Sequence, residues 1–304
     1  MASQAVSAPS ALSGTVGEMI GEFFGTGILI LFGDGCVATF ALYKNLGGVP
    51  TPFATEWIVI ILGWGLAVML GIYVAGAISG AHINPAVTLG LAATGRHPWI
   101  KVLPYWGAQV LGAFVAGGIL WFVYQGALQN TIAGGAVNTT IGGVFYTSPK
   151  AFVGTFGAFG DEFLGTALLL FMILTIIDAR NQPVQANLNP LIIGFLIVAI
   201  GASFGLNTGY AINPARDFGP RLWIALFSGG ASFSEHNYYF WIPIVGPLLG
   251  GVVGALVFDY TIGKVLAAKM LGKSGTTETV GEAVREVSPD AEVRGRSVRE
   301  PSAE

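Results

Sequence analysis

Six long apolar segments dominate the hydrophobic pattern of the chain. A helix needs about 20 apolar residues to cross the hydrocarbon core of a bilayer, and each segment has about this length. The pattern therefore predicts an all-α membrane protein with six spans. The spans lie at residues 17–43, 54–76, 101–125, 157–178, 187–206 and 240–262.

Two further apolar runs are too short to cross a bilayer, and each follows an Asn-Pro-Ala triplet. Asn is favoured at the N-cap of a helix and Pro at its first position, so each triplet predicts a helix start. The runs are Val87 to Ala93 and Phe218 to Phe227, the second broken by Pro220. We expect two half-helices embedded in the membrane. The triplets are Asn84, Pro85 and Ala86, and Asn213, Pro214 and Ala215.

The chain contains an internal repeat. The sequence at 21–26 resembles that at 161–166, and each copy opens a half with three spans and one triplet. Three spans is an odd number, so the two halves must be inverted across the membrane, which places a functional site near the midplane. The predicted organisation is an N-terminal segment, two halves of a membrane domain (17–263), an external loop between them, and a polar tail. These cover 1–16, 17–125 and 157–263, 126–156, and 264–304.

Composition supports a membrane protein and excludes several other classes. The chain is 53% hydrophobic and 10% charged, whereas a soluble domain has about 25% charged residues. Cys36 is the only cysteine, so an intrachain disulfide or a thiolate metal site is excluded. We predict no cofactor, no metal and no nucleic-acid partner. The sequence shows no nucleophile–base pair or phosphate loop, which argues against an enzyme.

The positive charges predict the orientation. Lys and Arg are enriched in cytoplasmic loops, and most of them share one side if the N-terminus is inside. Lys44 and Lys150 then lie outside. We expect a cell-membrane protein with both termini in the cytoplasm and a disordered stretch at 273–304. The cytoplasmic set is Arg96, Lys101, Arg180, Lys264, Lys269 and Lys273.

The triplets and the turns before them predict the chemistry at the midplane. Each N-cap Asn accepts from its own helix through its side-chain oxygen, which leaves the amide of Asn84 or Asn213 to donate into a lumen. Irregular backbone survives at this depth only where it is buried or lines a cavity, so the turns should present ladders of carbonyl acceptors. The two half-helix N-termini add positive partial charge, which opposes cations. The predicted carbonyls belong to Gly80, Ala81, His82, Ile83, Gly209, Tyr210, Ala211 and Ile212.

Several ionisable residues have more than one interpretation. Glu22 and Glu162 lie within spans, where a carboxylate suggests proton relay, but accepting from backbone N–H groups of the two turns is the stronger interpretation. His82 is interpreted as a tether of its loop rather than a pH gate. Asp34 and Asp178 are predicted to lie at helix ends in water.

The two triplets, the Ser79-Gly80-Ala81-His82 lead-in, the repeated Glu-Phe-x-Gly-Thr opening and Arg216 after the second triplet resemble the aquaporins over residues 17–263. The Asp217 that directly follows Arg216 makes this motif resemble that of the aquaglyceroporin branch, in which an Asp follows the Arg. The resemblance implies a homotetramer in a lipid bilayer with one pore per protomer. It also implies passive flux of glycerol, water and other small neutral solutes.

Alignment with the aquaglyceroporins implies a selectivity filter formed by Trp64, Gly201, Tyr210 and Arg216. Two aromatic faces would receive the carbon side of a polyol, Arg216 would donate to its hydroxyls, and Gly201 would leave room. In isolation, Trp64 and Tyr210 would be interpreted as packing or interfacial residues. The branch often has Phe at the position of Tyr210, whose hydroxyl would narrow the filter or make it more polar.

Three alternatives to a glycerol channel stay open at this point. One is a predominantly water-selective pore, and another is a channel for urea or a similar solute. The third is an ion-coupled secondary transporter, which shares inverted repeats and broken helices but needs ionisable groups along its path. Concentration of solute against its gradient would identify a transporter.

Overall fold

The computed structural model describes residues 10–43, 57–133, 139–228 and 230–272. This part of the chain is helical, with connecting turns and no strand. The predicted residues Lys44 and Lys273, the stretch 273–304 and most of the N-terminal segment lie outside the described residues.

Six helices form the bundle, and their bounds lie within a few residues of the predicted spans. Five of the spans are long and apolar enough to cross a bilayer, and α8 is apolar but shorter, with 16 residues. Their outward faces carry exposed apolar side chains such as Phe24, Leu66 and Leu111. The helices are α1 (Thr15–Leu42), α2 (Trp57–Ser79), α4 (Val102–Val123), α7 (Thr155–Ile177), α8 (Asn189–Phe204) and α11 (Ile242–Tyr260).

Two half-helices begin at the two triplets, as predicted. They are α3 (Pro85–Ala93) and α9 (Pro214–Ser228), each with its Pro at the first helical position. Pro220 does not end the second half-helix, because α9 continues through Pro220 to Ser228. Gly117 of α4 lies against Pro220, so the space for the ring is provided by a residue without a side chain.

The two halves pack in the same way. In the first half α1 contacts α2 and α4, and in the second α7 contacts α8 and α11. The halves meet where α2 crosses α8: a Cβ built on Gly65 would lie 2.7 Å from the Gly194 carbonyl oxygen, and the reverse distance is also 2.7 Å. Only glycine allows this approach of the two backbones.

The connecting segments differ from the predicted loop and tail. The segment 126–156 contains most of a short helix, α5 (Gln125–Ala133), and a second one, α6 (Thr139–Phe145). Another, α10 (Ala231–Tyr238), follows α9 and has non-helical backbone from Glu235 to Asn237. The first residues of the predicted tail, 264–272, continue a helical stretch after α11. Loop composition alone did not reveal these short helices.

Candidate functional site

The two Asn side chains of the triplets form a crossed pair at the centre of the bundle. The amide of Asn84 donates to the Ile212 carbonyl at 2.8 Å, and the amide of Asn213 donates to the Ile83 carbonyl at 2.8 Å. Each side-chain oxygen accepts from its own half-helix, from Ala86 N at 2.8 Å and from Ala215 N at 3.0 Å. The amides were expected to be free. Instead each holds the opposite turn with one N–H, which leaves one N–H for another acceptor.

The two turns before the triplets have an unusual backbone. In each turn one Gly and two other residues have positive φ: Ala81, Ile83, Tyr210 and Ile212 lie between 39° and 50°. Such conformations are costly for residues with a side chain. Among the described residues, no donor reaches the carbonyl oxygens of Gly80, Ala81, His82, Gly209, Tyr210 and Ala211. The carbonyls of Ile83 and Ile212 accept from the Asn amides, so six of the eight predicted carbonyls have no donor within the described part of the chain.

Glu22 holds the first turn. Its side chain is completely buried, and its two oxygens accept from the backbone N–H of His82 at 2.9 Å and of Ile83 at 2.6 Å. Ser79 Oγ and Gln109 Nε2 also donate to it, at 2.6 and 2.7 Å. Four donors on one carboxylate stabilise a turn that its own φ angles disfavour.

Glu162 holds the second turn in the same manner. It accepts from the N–H of Ala211 at 2.9 Å and of Ile212 at 2.7 Å, and from Thr208 Oγ1 at 2.8 Å. Thr208 Oγ1 also lies 2.8 Å from an oxygen of Asp161. Each Glu thus has the geometry of loop support rather than of a relay facing a cavity.

Two cavities meet at the same two side chains. One, of about 480 Å³, extends from Trp64 and Arg216 past both Asn residues towards the face where α1 begins. The other, of about 880 Å³, opens at the opposite face and is lined in part by Trp57, Lys150 and His236. Trp64 and Arg216 line both cavities, and Tyr210 lines the first. We call the region where the two cavities adjoin, at Trp64 and Arg216 with Tyr210 beside them, the constriction.

Arg216 is held on three sides. Its Nη1 donates to Asp34 Oδ1 at 3.2 Å and to the Phe145 carbonyl at 3.3 Å. Its guanidinium carbon lies 4.0 Å from the ring centre of Trp64, close enough for a cation–π contact. Nε and Nη2 have no acceptor within the described part of the chain. The constriction therefore offers fixed N–H donors beside an aromatic face.

Gly201 lies behind Tyr210 rather than on a cavity wall. A Cβ built on Gly201 would lie 2.7 Å from Tyr210 Cζ and 2.7 Å from Ile61 Cγ2. The Tyr210 hydroxyl oxygen is buried and has no hydrogen-bond partner among the described residues. Tyr210 lines the 480 Å³ cavity, but its buried hydroxyl oxygen neither narrows nor polarises that cavity, contrary to the expectation from the sequence.

Asp217 lines neither cavity, and its carboxylate binds Thr147 in the segment that follows α6. It is fully buried, accepts from Thr147 N at 2.8 Å and from Thr147 Oγ1 at 2.7 Å, and pairs with Arg221 Nε at 2.7 Å. Arg221 also donates to the carbonyls of Ser232 at 2.7 Å and Thr147 at 3.0 Å. This network fixes the neighbourhood of the Phe145 carbonyl that holds Arg216.

The structure corrects the prediction for Asp34, and for Asp178 it agrees with the helix end but not with full exposure to water, since that side chain is 10% exposed. Asp34 was expected in water at a helix end, but it lies inside α1, is completely buried and pairs with Arg216. Asp178 does cap the end of α7 and pairs with Arg180 at 2.6 Å. The hydrogen bonds from Arg180 hold the pKa of Asp178 below its ordinary value.

His82 and His97, near the face where α1 begins, form a packed group with Tyr105. His82 Nδ1 lies 3.1 Å from Thr88 Oγ1, and its ring contacts those of His97 and Tyr105 at centroid distances of 4.7 and 5.0 Å. These contacts fit a tether of the turn. They also give His97 neighbours that the sequence did not suggest.

The sequence did not identify Asp34, Phe145, Gln109, Thr147 or Arg221 as part of this site. The internal repeat carried a signal for Asp34. Glu22 and Glu162 are equivalent by their contacts, and the residue twelve positions after Glu162 is Leu174, whereas twelve positions after Glu22 lies Asp34. An acid where the other half has leucine marks a difference that the fold alone does not require.

Comparison with known proteins gives consistent similarities. A family model described as major intrinsic protein matches residues 10–258. The chain is 44% identical to Aquaglyceroporin-2 of Rhizophagus irregularis over 80% of this chain and 76% of that protein. It is 43% identical to glycerol uptake facilitator protein 3 of Lactiplantibacillus plantarum over 80% and 95% of the two chains. The X-ray structure of the aquaglyceroporin from Plasmodium falciparum aligns with a TM-score of 0.75 at 35% identity, covering 84% of this chain and all of that one.

Proposed function

The chain belongs to the major intrinsic protein family, and on this basis we propose that it is a passive channel for glycerol and other small neutral solutes that also conducts water. The relatives named above are aquaglyceroporins and a glycerol uptake facilitator. The fold is that of six membrane helices and two half-helices in an inverted repeat.

The observation that carries the proposal is the constriction where the two cavities meet. There, the aromatic faces of Trp64 and Tyr210 adjoin the cavity, and Nε and Nη2 of Arg216 have no acceptor among the described residues. A polyol has hydroxyls along one edge and C–H groups along the other. The aromatic faces receive the C–H edge, and the free N–H groups donate to the hydroxyls. We therefore assign the filter to Trp64, Tyr210 and Arg216, with Gly201 as the residue behind Tyr210.

The path beyond the constriction suits a neutral solute. Arg216 is the one Asp, Glu, Lys or Arg among the side chains that line the 480 Å³ cavity. The carbonyl oxygens of both turns, and the remaining N–H groups of Asn84 and Asn213, offer a solute hydrogen bonds one after another along the path. The N-termini of α3 and α9 meet at the centre and carry positive partial charge, which opposes cations and protons.

The proposed activity is tested by stopped-flow light scattering on proteoliposomes with glycerol, urea and an impermeant osmolyte. We expect glycerol to equilibrate in both directions without ion current. Concentrative glycerol uptake under a proton or sodium gradient would instead identify a coupled transporter. Water flux with negligible glycerol flux would identify a water-selective pore, and a higher flux of urea than of glycerol would identify a urea channel.

We also propose a homotetramer in the cell membrane with both termini in the cytoplasm. Arg96 pairs with Asp259 and Lys101 with Glu18 at the face where α1 begins, whereas Lys150 lines the opposite cavity. This arrangement has the charge asymmetry of cytoplasmic loops. Accessibility of single cysteines placed at Lys150 and at Arg180 to an impermeant thiol reagent in intact cells tests the orientation, in a Cys36→Ser background. Chemical cross-linking tests the tetramer.

A further inference from the structure

Asp34 lies behind the constriction without lining either cavity. Its carboxylate is completely buried within α1, and Oδ1 lies 3.2 Å from Arg216 Nη1. The preceding residue, Gly33, lies directly against the six-membered ring of Trp64, so closely that a Cβ there would overlap the ring. Two consecutive residues of α1 therefore back the two side chains that both cavities share.

The internal repeat provides a comparison within the same molecule. Asn84 and Asn213 are equivalent, so the position of Arg216, three residues after Asn213, corresponds to Val87. The position of Asp34 corresponds to Leu174, which is also buried, with 3% of its surface exposed. Under the repeat, the charged pair of Asp34 and Arg216 therefore corresponds to two apolar residues, Leu174 and Val87. The packing of the other half accommodates leucine at the equivalent position, which points to Arg216 rather than to the helix packing as the reason for an acid at position 34.

Counting hydrogen bonds shows what the acid does for the arginine. A guanidinium has five N–H groups in a fixed plane. Asp34 and the Phe145 carbonyl accept the two from Nη1. The Nε–H and the two Nη2–H groups have no acceptor among the residues that the structure describes, and they are the donors available to a solute. Because the guanidinium is planar, fixing Nη1 and placing the face on Trp64 sets the direction of these other donors.

We propose that Asp34 is a positioning residue that determines solute preference. By accepting from Nη1, it holds the Arg216 plane so that Nε–H and Nη2–H together face the cavity. A solute with two neighbouring hydroxyls uses both donors at once, whereas water uses one. Loss of the Asp34 acceptor releases the guanidinium to turn towards the lumen, which costs glycerol more than water. The proposal rests on the glycerol-channel function proposed above.

Two substitutions separate this role from a merely structural one. Asp34→Asn keeps a carbonyl oxygen that accepts from Nη1 and removes the charge. Asp34→Leu removes the acceptor and introduces the residue of the other half. The matched control is Asp259→Leu. Asp259 lies on α11, remote from the constriction, and its substitution removes the acid that pairs with Arg96. All are reconstituted as folded oligomers at equal protein-to-lipid ratio, and glycerol and water fluxes are measured on the same vesicles.

We expect Asp34→Asn to keep the glycerol-to-water flux ratio within about twofold of the unmodified protein. We expect Asp34→Leu to lower that ratio at least fivefold, and Asp259→Leu to leave it unchanged. A general packing defect would lower both fluxes together and leave the ratio intact. An unchanged ratio in Asp34→Leu overturns the proposal, as does an equal loss in Asp34→Asn and Asp34→Leu, which would assign the effect to charge.

Failure of the positioning role of Asp34 can be distinguished from failure of the proposed glycerol-channel function. The unmodified protein alone tests whether glycerol permeates at all. If it conducts water but not glycerol, the function proposed above fails, and the two Asp34 variants are compared by the ratio of urea to water flux. Urea also accepts from two N–H groups through one oxygen, so the released guanidinium of Asp34→Leu should lower that ratio and Asp34→Asn should preserve it. The same urea-to-water flux ratio in both variants then overturns the positioning role.

If Asp34→Leu does not assemble, the comparison is made with Asp34→Val, which also removes the acceptor and has a smaller side chain than leucine.

Discussion

Tyr210 packs directly on Gly201: a Cβ built on Gly201 would lie 2.7 Å from Cζ and 2.8 Å from Oη of the tyrosine. These distances are far shorter than an ordinary van der Waals contact. The ring thus occupies the volume that a side chain at position 201 would need. The place of one aromatic face at the constriction depends on the absence of a side chain on the neighbouring helix α8.

Substitution of Gly201 should therefore act through Tyr210. In Gly201→Ala the ring must move towards the cavity, and in Gly201→His it must move further. We expect glycerol flux to fall at least about fivefold in Gly201→His, with a smaller fall for water, because glycerol is wider and needs the apolar wall. The control is Gly107→Ala in α4, where a Cβ would meet no atom within 4 Å. Equal losses of glycerol and water flux in a folded oligomer would contradict this coupling.

The hydroxyl of Tyr210 should be dispensable. Its oxygen is buried with no hydrogen-bond partner among the described residues, and leaving such a group unsatisfied costs about 1–3 kcal/mol. We expect Tyr210→Phe to keep glycerol flux within twofold and to unfold at the same or a slightly higher temperature in detergent. A large change in the glycerol-to-water ratio would show that the hydroxyl reaches the solute after all.

The sequence predicted the parts of this site that depend on local rules. Asn is favoured at the N-cap and Pro at the first helical position, so Asn84 and Asn213 were placed at the starts of α3 and α9 by pattern alone. The two glutamates were assigned to loop support because irregular backbone in a membrane needs partners. The donors that reach Glu22, such as Gln109 on α4, could not be predicted, because they depend on which helices are neighbours.

The constriction was predicted only in part, for a physical reason. Residues facing a lumen follow from the motif, but residues behind them follow from packing in three dimensions. The partner of Asp34, Arg216, lies 182 positions further along the chain, so this buried pair follows only from the fold. The Phe145 carbonyl carries no side-chain signal at all, since any residue provides a carbonyl. Asp217 was recognised as a branch marker, yet its partners Thr147 and Arg221 became visible only in the fold.

The buried pair of Asp217 and Arg221 should contribute strongly to stability. Both side chains are almost completely buried, and Arg221 also satisfies two backbone carbonyls. Removing one partner of such a pair costs about 3–5 kcal/mol. We therefore expect Arg221→Ala to lower the free energy of unfolding by about this amount. Arg96→Ala, which breaks a half-exposed pair with Asp259, should cost at most about 1 kcal/mol. Similar losses in the two variants would contradict a special role for the Asp217 network.

His97 predicts a dependence of stability on pH. Burial lowers the pKa of His97, and the nearby Lys101 charge lowers it further. A histidine with a lowered pKa binds its proton more weakly in the folded than in the unfolded state, so stability falls as the pH drops below about 6.5. We expect the melting temperature to decline between pH 6.5 and 5, and to decline less in His97→Gln. Identical pH profiles of the two proteins would show that other groups cause the decline.

The pairing of Arg216 with Asp34 makes the single substitution Arg216→Ala harder to interpret than the sequence suggested. It removes the fixed cation of the constriction, but it also leaves a completely buried carboxylate without its partner. We expect Arg216→Ala to lose about 3–5 kcal/mol of stability because of the unpaired carboxylate, and to admit charged solutes more readily because the fixed cation is gone.

The double variant Arg216→Ala with Asp34→Leu removes both charges and places at position 34 the residue type of Leu174 in the other half. It should recover at least about 2 kcal/mol relative to Arg216→Ala while keeping the loss of charge discrimination. Unfolding in detergent measures the first effect, and proton leak in proteoliposomes measures the second. If the double variant is no more stable than Arg216→Ala, the stability of the constriction does not depend on the pair, and the carboxylate of Asp34 must be compensated by a group other than Arg216.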